Sequence, residues 1–250
     1  MPPPPSFSPA FDAHAAAYDA VWTEHPLVRV LRARVLARCA TEFRPGSRLL
    51  DLGCGTGADA AVLSALGYRV EGVDASAEMV ARTRRRGVTA NVVDLTMAGE
   101  ETFGTEPGER WDGVYSNFGA LNCLPTLRGL GNAMAAGLKP GARLVLAVMG
   151  EHCPAETLAL AMRGRPRRRR DGAVPLGAGS VAVRYLAART VAEEFGTAFR
   201  LTRVEALGAL MPPPDLGGGV DWRARLEPWL ARWPGVRAAG DHTLMVFRRA

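Results

Sequence analysis

Residues 49–60, LLDLGCGTGADA, limit what this 250-residue chain can become more than any other stretch. Leu49, Leu50 and Leu52 form an apolar run that predicts a buried parallel strand. Gly53, Gly55 and Gly57 break that run, and the Ala-rich residues 58–66 predict a helix. A strand feeding a helix through a glycine turn leaves unpaired backbone N–H groups and a positive dipole end at the turn. Without Cβ atoms, such a turn lets a bound molecule come close to the backbone. Asp51, at the carboxyl end of the strand, adds a charge where open α/β sheets take their ligands. The spacing is not the G-x-G-x-x-G of dinucleotide sites, which argues against a nicotinamide dehydrogenase.

Two more acids follow strands. Residues 68–73 predict a second strand that ends in Asp74, placed to accept from the vicinal hydroxyls of a ribose. Ser76 then caps a helix that turns Met79 and Val80 inward. Residues 88–93 predict a third strand, followed by Asp94, which on its own reads equally well as a turn residue. The run D-L-G-C-G-T-G from Asp51 resembles the first motif of class I S-adenosylmethionine-dependent methyltransferases, and V-E-G-V-D-A-S around Asp74 is similar to their second. The resemblance covers residues 14–150 well and the closing strands loosely.

That resemblance implies S-adenosyl-L-methionine as cofactor and S-adenosyl-L-homocysteine as product. It implies a loop site at Asp51, Gly53, Cys54, Gly55 and Gly57, and a ribose site at Asp74 with Ala75 and Met79 beside it. Asp94 would accept from the adenine amino group, with Val93 or Leu95 against the ring. An N-terminal A-x-x-Y-D segment, here Ala15, Tyr18 and Asp19, implies a lid with Tyr18 over the sulfonium. Arg29 or Arg32, on a helix predicted from Pro26 onward, is either within reach of the cofactor's carboxylate or a solvated helical arginine.

Residues 111–116 predict a fourth strand, followed by Asn117, Phe118 and, further on, Asn122. In the resembled family this position borders cofactor and acceptor. The segment is not N-P-P-Y, which argues against a DNA adenine methylase. Asn117 and Asn122 either hold an acceptor or cap the helix starting near Pro125. After an expected helix-ending turn at residues 138–141, residues 142–149 predict a fifth strand. Strands alternating with helices predict an α/β, doubly wound, mostly parallel sheet with helices on both faces. Residues 181–185 predict an added strand, and residues 199–205 and 243–248 complete seven, the last antiparallel. The expected organisation is a tail and helical lid over 1–44, then a methyltransferase domain over 45–250. Insertions fall at about 151–186 and 208–234, the second expected to build the acceptor pocket. Phe118, Leu121, Leu210, Met211 and Trp222 are its expected lining.

Composition mostly excludes. The net charge is +6, but Lys139 is the only lysine, a skew that reflects genomic arginine bias more than an acidic partner. Six of the eight residues 163–170 are arginine, with no interleaved aromatic to stack a base, so a solvated loop is expected and nucleic acid disfavoured. Cys39, Cys54, Cys123 and Cys153 have no metal-ligand spacing, so reduced cytoplasmic thiols and no metal are expected. No apolar run approaches the ~20 residues of a membrane span. The start, MPPPPSFSPAF, lacks a signal-peptide pattern and reads as a solvated proline tail. Residues 100–110, with Gly104, Pro107 and Gly108, predict a surface loop.

Methyl displacement from a sulfonium needs alignment more than a catalytic triad. His14, His152 and His242 are the candidate bases, and His14, His152, Asn117 and Asn122 the expected catalytic set. The expected partner is a small, lipophilic or aromatic acceptor, met by a monomer or homodimer. Two alternatives stay open: an RNA or protein methyltransferase using the arginine run, and a module that binds the cofactor without transferring its methyl.

Overall fold

The computed structural model describes residues 8–103, 110–165, 169–177 and 179–250. The readings placed on Pro2–Pro5 and Phe7, on Gly104, Pro107 and Gly108, and on arginine-run residues 166–168 lie outside the described residues. Nine strands are described: β1 (Arg48–Leu52), β2 (Arg69–Asp74), β3 (Thr89–Val92), β4 (Trp111–Ser116), β5 (Leu138–Met149), β6 (Gly172–Leu176), β7 (Gly179–Val183), β8 (Phe199–Leu207) and β9 (His242–Arg249). Seven of them form one sheet in the order β3-β2-β1-β4-β5-β9-β8. Pairing is parallel from β3 to β5, and β9 runs antiparallel between β5 and β8. The doubly wound sheet and its antiparallel last strand are therefore as the sequence predicts.

Alternation along the central strands fills both faces. Leu50, Val114, Leu144 and Leu146 point to one core, while Leu49, Tyr115, Val145 and Ala147 point to the other. The first core is closed by α5 (Arg128–Gly137) and α7 (Ala188–Phe195), the second by α2 (Pro26–Glu42) and α3 (Ala58–Ala65). α4 (Ala77–Arg85) packs against β2 and β3 through Val80. Ser76 caps it as predicted, its Oγ accepting from the Met79 N–H at 3.1 Å.

Three elements depart from the reading of the sequence. Residues 138–141 open β5 instead of ending a helix: Leu138 pairs with Trp111, and a register shift follows. A bulge tolerates Pro140, which has no N–H to give, and Gly141 takes φ +76° there. The added strand is one arm of a separate hairpin, β6–β7, not a member of the main sheet. The N-terminal helix is α1 (Ser8–Tyr18), which widens into a π-helical turn over Asp19–Thr23. α6 (Pro154–Met162) and α8 (Trp222–Leu230) lie in the two insertions.

Candidate active site

A cavity of about 310 Å³ lies at the carboxyl ends of β1, β2 and β4. Its floor at one end is the glycine turn. Gly53 has φ +72°, and a Cβ there would sit 2.2 Å from Ala120 Cβ, so only glycine fits. Gly53 and Cys54 donate their N–H groups to the Val73 carbonyl at 2.8 and 3.0 Å, tying the turn to β2. Gly55 N–H and Ser76 N–H then reach Asp74 Oδ2 and Oδ1, both at 2.9 Å. Burial raises the Asp74 carboxyl above its ordinary value, against the lowering by those two N–H bonds. Each oxygen keeps acceptor capacity for a hydroxyl from the cavity. Asp94 also lines the space, with Oδ1 accepting from Thr96 N–H and Oγ1 at 2.9 and 2.7 Å.

The N-terminal segment closes over this end through two carboxylates. Asp12 accepts from Ser76 Oγ at 2.5 Å and Glu78 N–H at 3.2 Å, at the start of α4 where the helix dipole favours an anion. Asp19 accepts from Thr56 Oγ1 and Arg86 Nη2, both at 2.6 Å. Burial opposes its charge, but the Thr56, Thr23 and Arg86 contacts prevail and hold the carboxyl below its ordinary value. Between these clasps Tyr18 faces the cavity, its phenol pushed up to about 12 mainly by burial. Arg32 reaches the wall from α2, paired with Asp59 at 2.7 Å, and Asn117 Nδ2 donates to the same carboxylate at 3.0 Å. Asn117 Oδ1 is buried and has no hydrogen-bond partner among the described residues.

The opposite end has other chemistry. Phe118 holds φ +50°, which is costly for a residue with a Cβ. Its ring stands edge-on to His242, with centroids 5.0 Å apart. His242 Nδ1 lies 3.1 Å from Asp241 Oδ2, and Arg169 Nη2 donates to Asp241 Oδ1 at 2.5 Å. Burial disfavours the Asp241 anion, yet His242 and Arg169 outweigh it and hold the carboxyl far below its usual range. Arg169 is only 5% exposed and also meets Glu156 at 2.5 Å. This member of the arginine run is thus an internal clamp, not a solvated side chain. The hairpin supplies the apolar roof through Val174, Leu176, Val181 and Val183.

A glycine turn at the head of a parallel sheet, an acid after the next strand and a tyrosine from the N-terminal helix line one end of the cavity, beside an apolar end. The model of a family described as "Methyltransferase domain" matches residues 24–175. The chain belongs to this family, that of the class I S-adenosylmethionine-dependent methyltransferases. Over 148 residues it is 33% identical to a demethylmenaquinone methyltransferase of Clavibacter sepedonicus, covering 57% of this chain and 58% of that one. A ubiquinone biosynthesis O-methyltransferase of Xanthomonas campestris is 29% identical over 144 residues, 57% of this chain and 60% of the other. The chain thus matches less than two thirds of the length of these relatives. In fold it resembles an S-adenosylmethionine dependent methyltransferase from Mesorhizobium loti, with a TM-score of 0.58 and 20% identity over 88% of this chain and 98% of that one.

Of the residues expected at the cofactor, Tyr18, Gly53, Gly55, Asp74, Ala75, Met79, Asp94, Leu95, Asn117 and Phe118 all line the cavity. Others do not. Asp51 is buried beneath the turn, accepting from Tyr115 Oη at 2.8 Å, and burial with nearby Asp59 raises its carboxyl well above the ordinary value. Cys54 fills the space over Gly72, Gly57 packs on Thr83, and Val93 packs into the core. Arg29 is exposed; at about 100° per residue, Arg32 borders the inward stripe of α2 while Arg29 lies outside it.

The expected catalytic set also separates. His152 is exposed and off the lining. His14 packs against Tyr18 and Gly177 outside the lining, with Nε2 buried and unpartnered among the described residues. Asn122 is a clasp: Nδ2 donates to the carbonyls of Met149 and Arg184, and Oδ1 accepts from Met149 N–H. Leu121 and Met211 are core, Trp222 is exposed, and of residues 208–234 only Pro214 lines the cavity. The hairpin takes the wall role expected of that insertion. Asp241 went unnoticed in the sequence, although its place directly before His242 at the head of β9 was a readable signal.

Proposed function

We propose that this chain transfers a methyl group from S-adenosylmethionine to a small, lipophilic and aromatic acceptor, with His242 as general base. The arrangement that carries this reading is the two-ended cavity, nucleoside-like at Gly53 and Asp74 and apolar with a His–Asp pair at Phe118 and His242.

The residues fit the cofactor. Asp74, Asp94, Leu95 and Met79 all line the cavity, where Asp74 would accept from a ribose diol, Asp94 from an amino group, and Leu95 and Met79 would lie against an aromatic ring. Arg32 offers a cation to a carboxylate, and the orphaned Asn117 Oδ1 offers an acceptor to an ammonium. The bound cofactor supplies a methyl group on an already activated leaving group. The chain therefore has to align the acceptor and exclude water, and orientation of this kind is worth about 7–11 kcal/mol. Tyr18 and the hairpin exclude water from above, and Phe118 gives an aromatic acceptor an edge to pack on.

Asp241, held ionised, accepts the Nδ1 proton of His242 and leaves Nε2 able to take a proton from an acceptor hydroxyl or amine. A positioned base of this type contributes roughly 10²–10⁴-fold. Similarity to a demethylmenaquinone methyltransferase and to a ubiquinone biosynthesis O-methyltransferase supports a quinone-like ring as the first acceptor class to test. The test is transfer of labelled methyl to a panel of phenols, hydroquinones and polar macromolecules. Turnover of ring acceptors, lost in His242→Ala, is expected; turnover of RNA or protein alone would sink the reading.

A further inference from the structure

α8 and the turn after it carry an apolar stripe that the fold leaves uncovered. Trp222, Leu226, Trp229 and Trp233 recur at steps of four, three and four, so they share one side of a helical path. They are 67%, 48%, 79% and 60% exposed, against the norm of scattered single apolar residues on a surface. The buried side of the same helix explains why it stays in place. Glu227 is 1% exposed, pairs with Arg34 and accepts from Gly208 N–H at 2.7 Å, so the stripe is held outward by a buried ion pair.

Apart from the paired Asp221, the exposed charges around the stripe are positive. Both acids within residues 220–237 are already taken, Glu227 by Arg34 and Asp221 by Arg223 at 2.7 Å. Arg225, Arg232 and Arg237 remain exposed. The surface nearer the cavity has the same character. Leu158 and Met162, four residues apart on α6, are 63% and 80% exposed, and Arg163 at the end of α6 donates to the Leu216 carbonyl at 2.9 Å. That carbonyl belongs to the short turn whose Pro214 lines the cavity.

We propose that the Trp222–Trp229–Trp233 face is a docking surface for an anionic phospholipid bilayer, which the protein meets without crossing. Indole rings settle at the boundary between headgroups and acyl chains, aliphatic neighbours enter the acyl side, and arginines stay with the phosphates. A second copy of the chain fits less well, because a two-fold contact sets the same arginines against each other. A single-stranded nucleic acid would find indoles to stack on, but it would leave the exposed aliphatic Leu226, Leu158 and Met162 in water, so it fits less well than a bilayer that buries them. The proposal goes beyond the acceptor reading and does not depend on it, since docking is measured without methyl transfer.

The test is co-sedimentation of the whole chain with vesicles of phosphatidylcholine, and with vesicles of equal parts phosphatidylcholine and phosphatidylglycerol. The expected result is at least about tenfold stronger partition into the anionic vesicles, with a blue shift in tryptophan emission. Trp222→Ser/Trp229→Ser/Trp233→Ser should abolish it, and Arg225→Gln/Arg232→Gln should remove the preference for the anionic lipid. Both variants should bind S-adenosylhomocysteine like the parent, which separates lost docking from lost folding. No partition of the parent chain, or partition unchanged in the tryptophan variant, overturns the proposal. So does a dimer that the tryptophan variant dissociates, or tighter binding to a single-stranded oligonucleotide than to the vesicles.

Discussion

At the glycine-turn end of the cavity the working groups are backbone atoms and carboxylates on neighbouring strands, whereas at the His242 end they are side chains drawn from five distant segments. Gly53, Gly55, Asp74 and Asp94 come from one continuous β-α-β-α-β run, and parallel pairing of β1 to β2 and β2 to β3 sets them side by side. Phe118, the hairpin, Pro214 and Asp241–His242 come together from distant parts of the chain, with β9 lying antiparallel between β5 and β8, and Arg169 joins them through Asp241. The first end is fixed by local geometry within that run. The second depends on insertions and long-range contacts, and connecting segments of this kind are where a fold varies with least cost to its core.

The sharpest way to break this division is to remove the base. His242→Ala should lower kcat by roughly 10²–10⁴-fold with cofactor affinity unchanged, measured by steady-state transfer and calorimetry. An equal loss in both would merge the two ends into one site. Next in size is Asp74→Asn, which keeps the shape but offers the ribose a weaker, uncharged acceptor; two charge-assisted bonds at about 1.5–3 kcal/mol each predict a 10²-fold or greater loss of S-adenosylhomocysteine affinity.

Asp241→Asn tests the clamp. It leaves Arg169 without one of its two carboxylates, so unfolding free energy at neutral pH should fall by about 3–5 kcal/mol. The sign with pH follows from the lowered carboxyl. Its stabilisation is full above the unfolded value near pH 4 and is lost as pH falls toward the folded value, so parent and variant should converge in acid. Smaller again, Asn122→Ala strands the carbonyls and N–H it now satisfies and should cost about 1–3 kcal/mol, read as a lower Tm with cofactor affinity retained. Smallest is His152→Ala, which should leave both transfer and stability within experimental scatter because the side chain is exposed.

The same division explains what could be read from the chain alone. The positions of the first strands, the glycine turn, Asp74 and Asp94 are encoded within short windows, where apolar runs, glycine spacing and a terminal acid carry the signal. Tyr18 was legible by its motif, but choosing Arg32 over Arg29 required knowing which side of α2 faces inward. Asn122 misled because an amide after a strand serves a ligand or the backbone equally well, and only the neighbouring carbonyls decide. The arginine run hid a clamp at Arg169 beside the exposed Arg163, Arg165 and Arg170, since composition cannot tell Arg169 from Arg170. The hairpin's place as the cavity roof is a long-range contact with α1, which no local pattern announces.

The most direct test of two independent ends is calorimetric titration of S-adenosylhomocysteine into the parent chain, Asp74→Ala and His242→Ala. Saturable binding in the parent, its loss in Asp74→Ala and its retention in His242→Ala are the expected results. Parent-like binding in Asp74→Ala, or loss of binding in His242→Ala, would contradict the account.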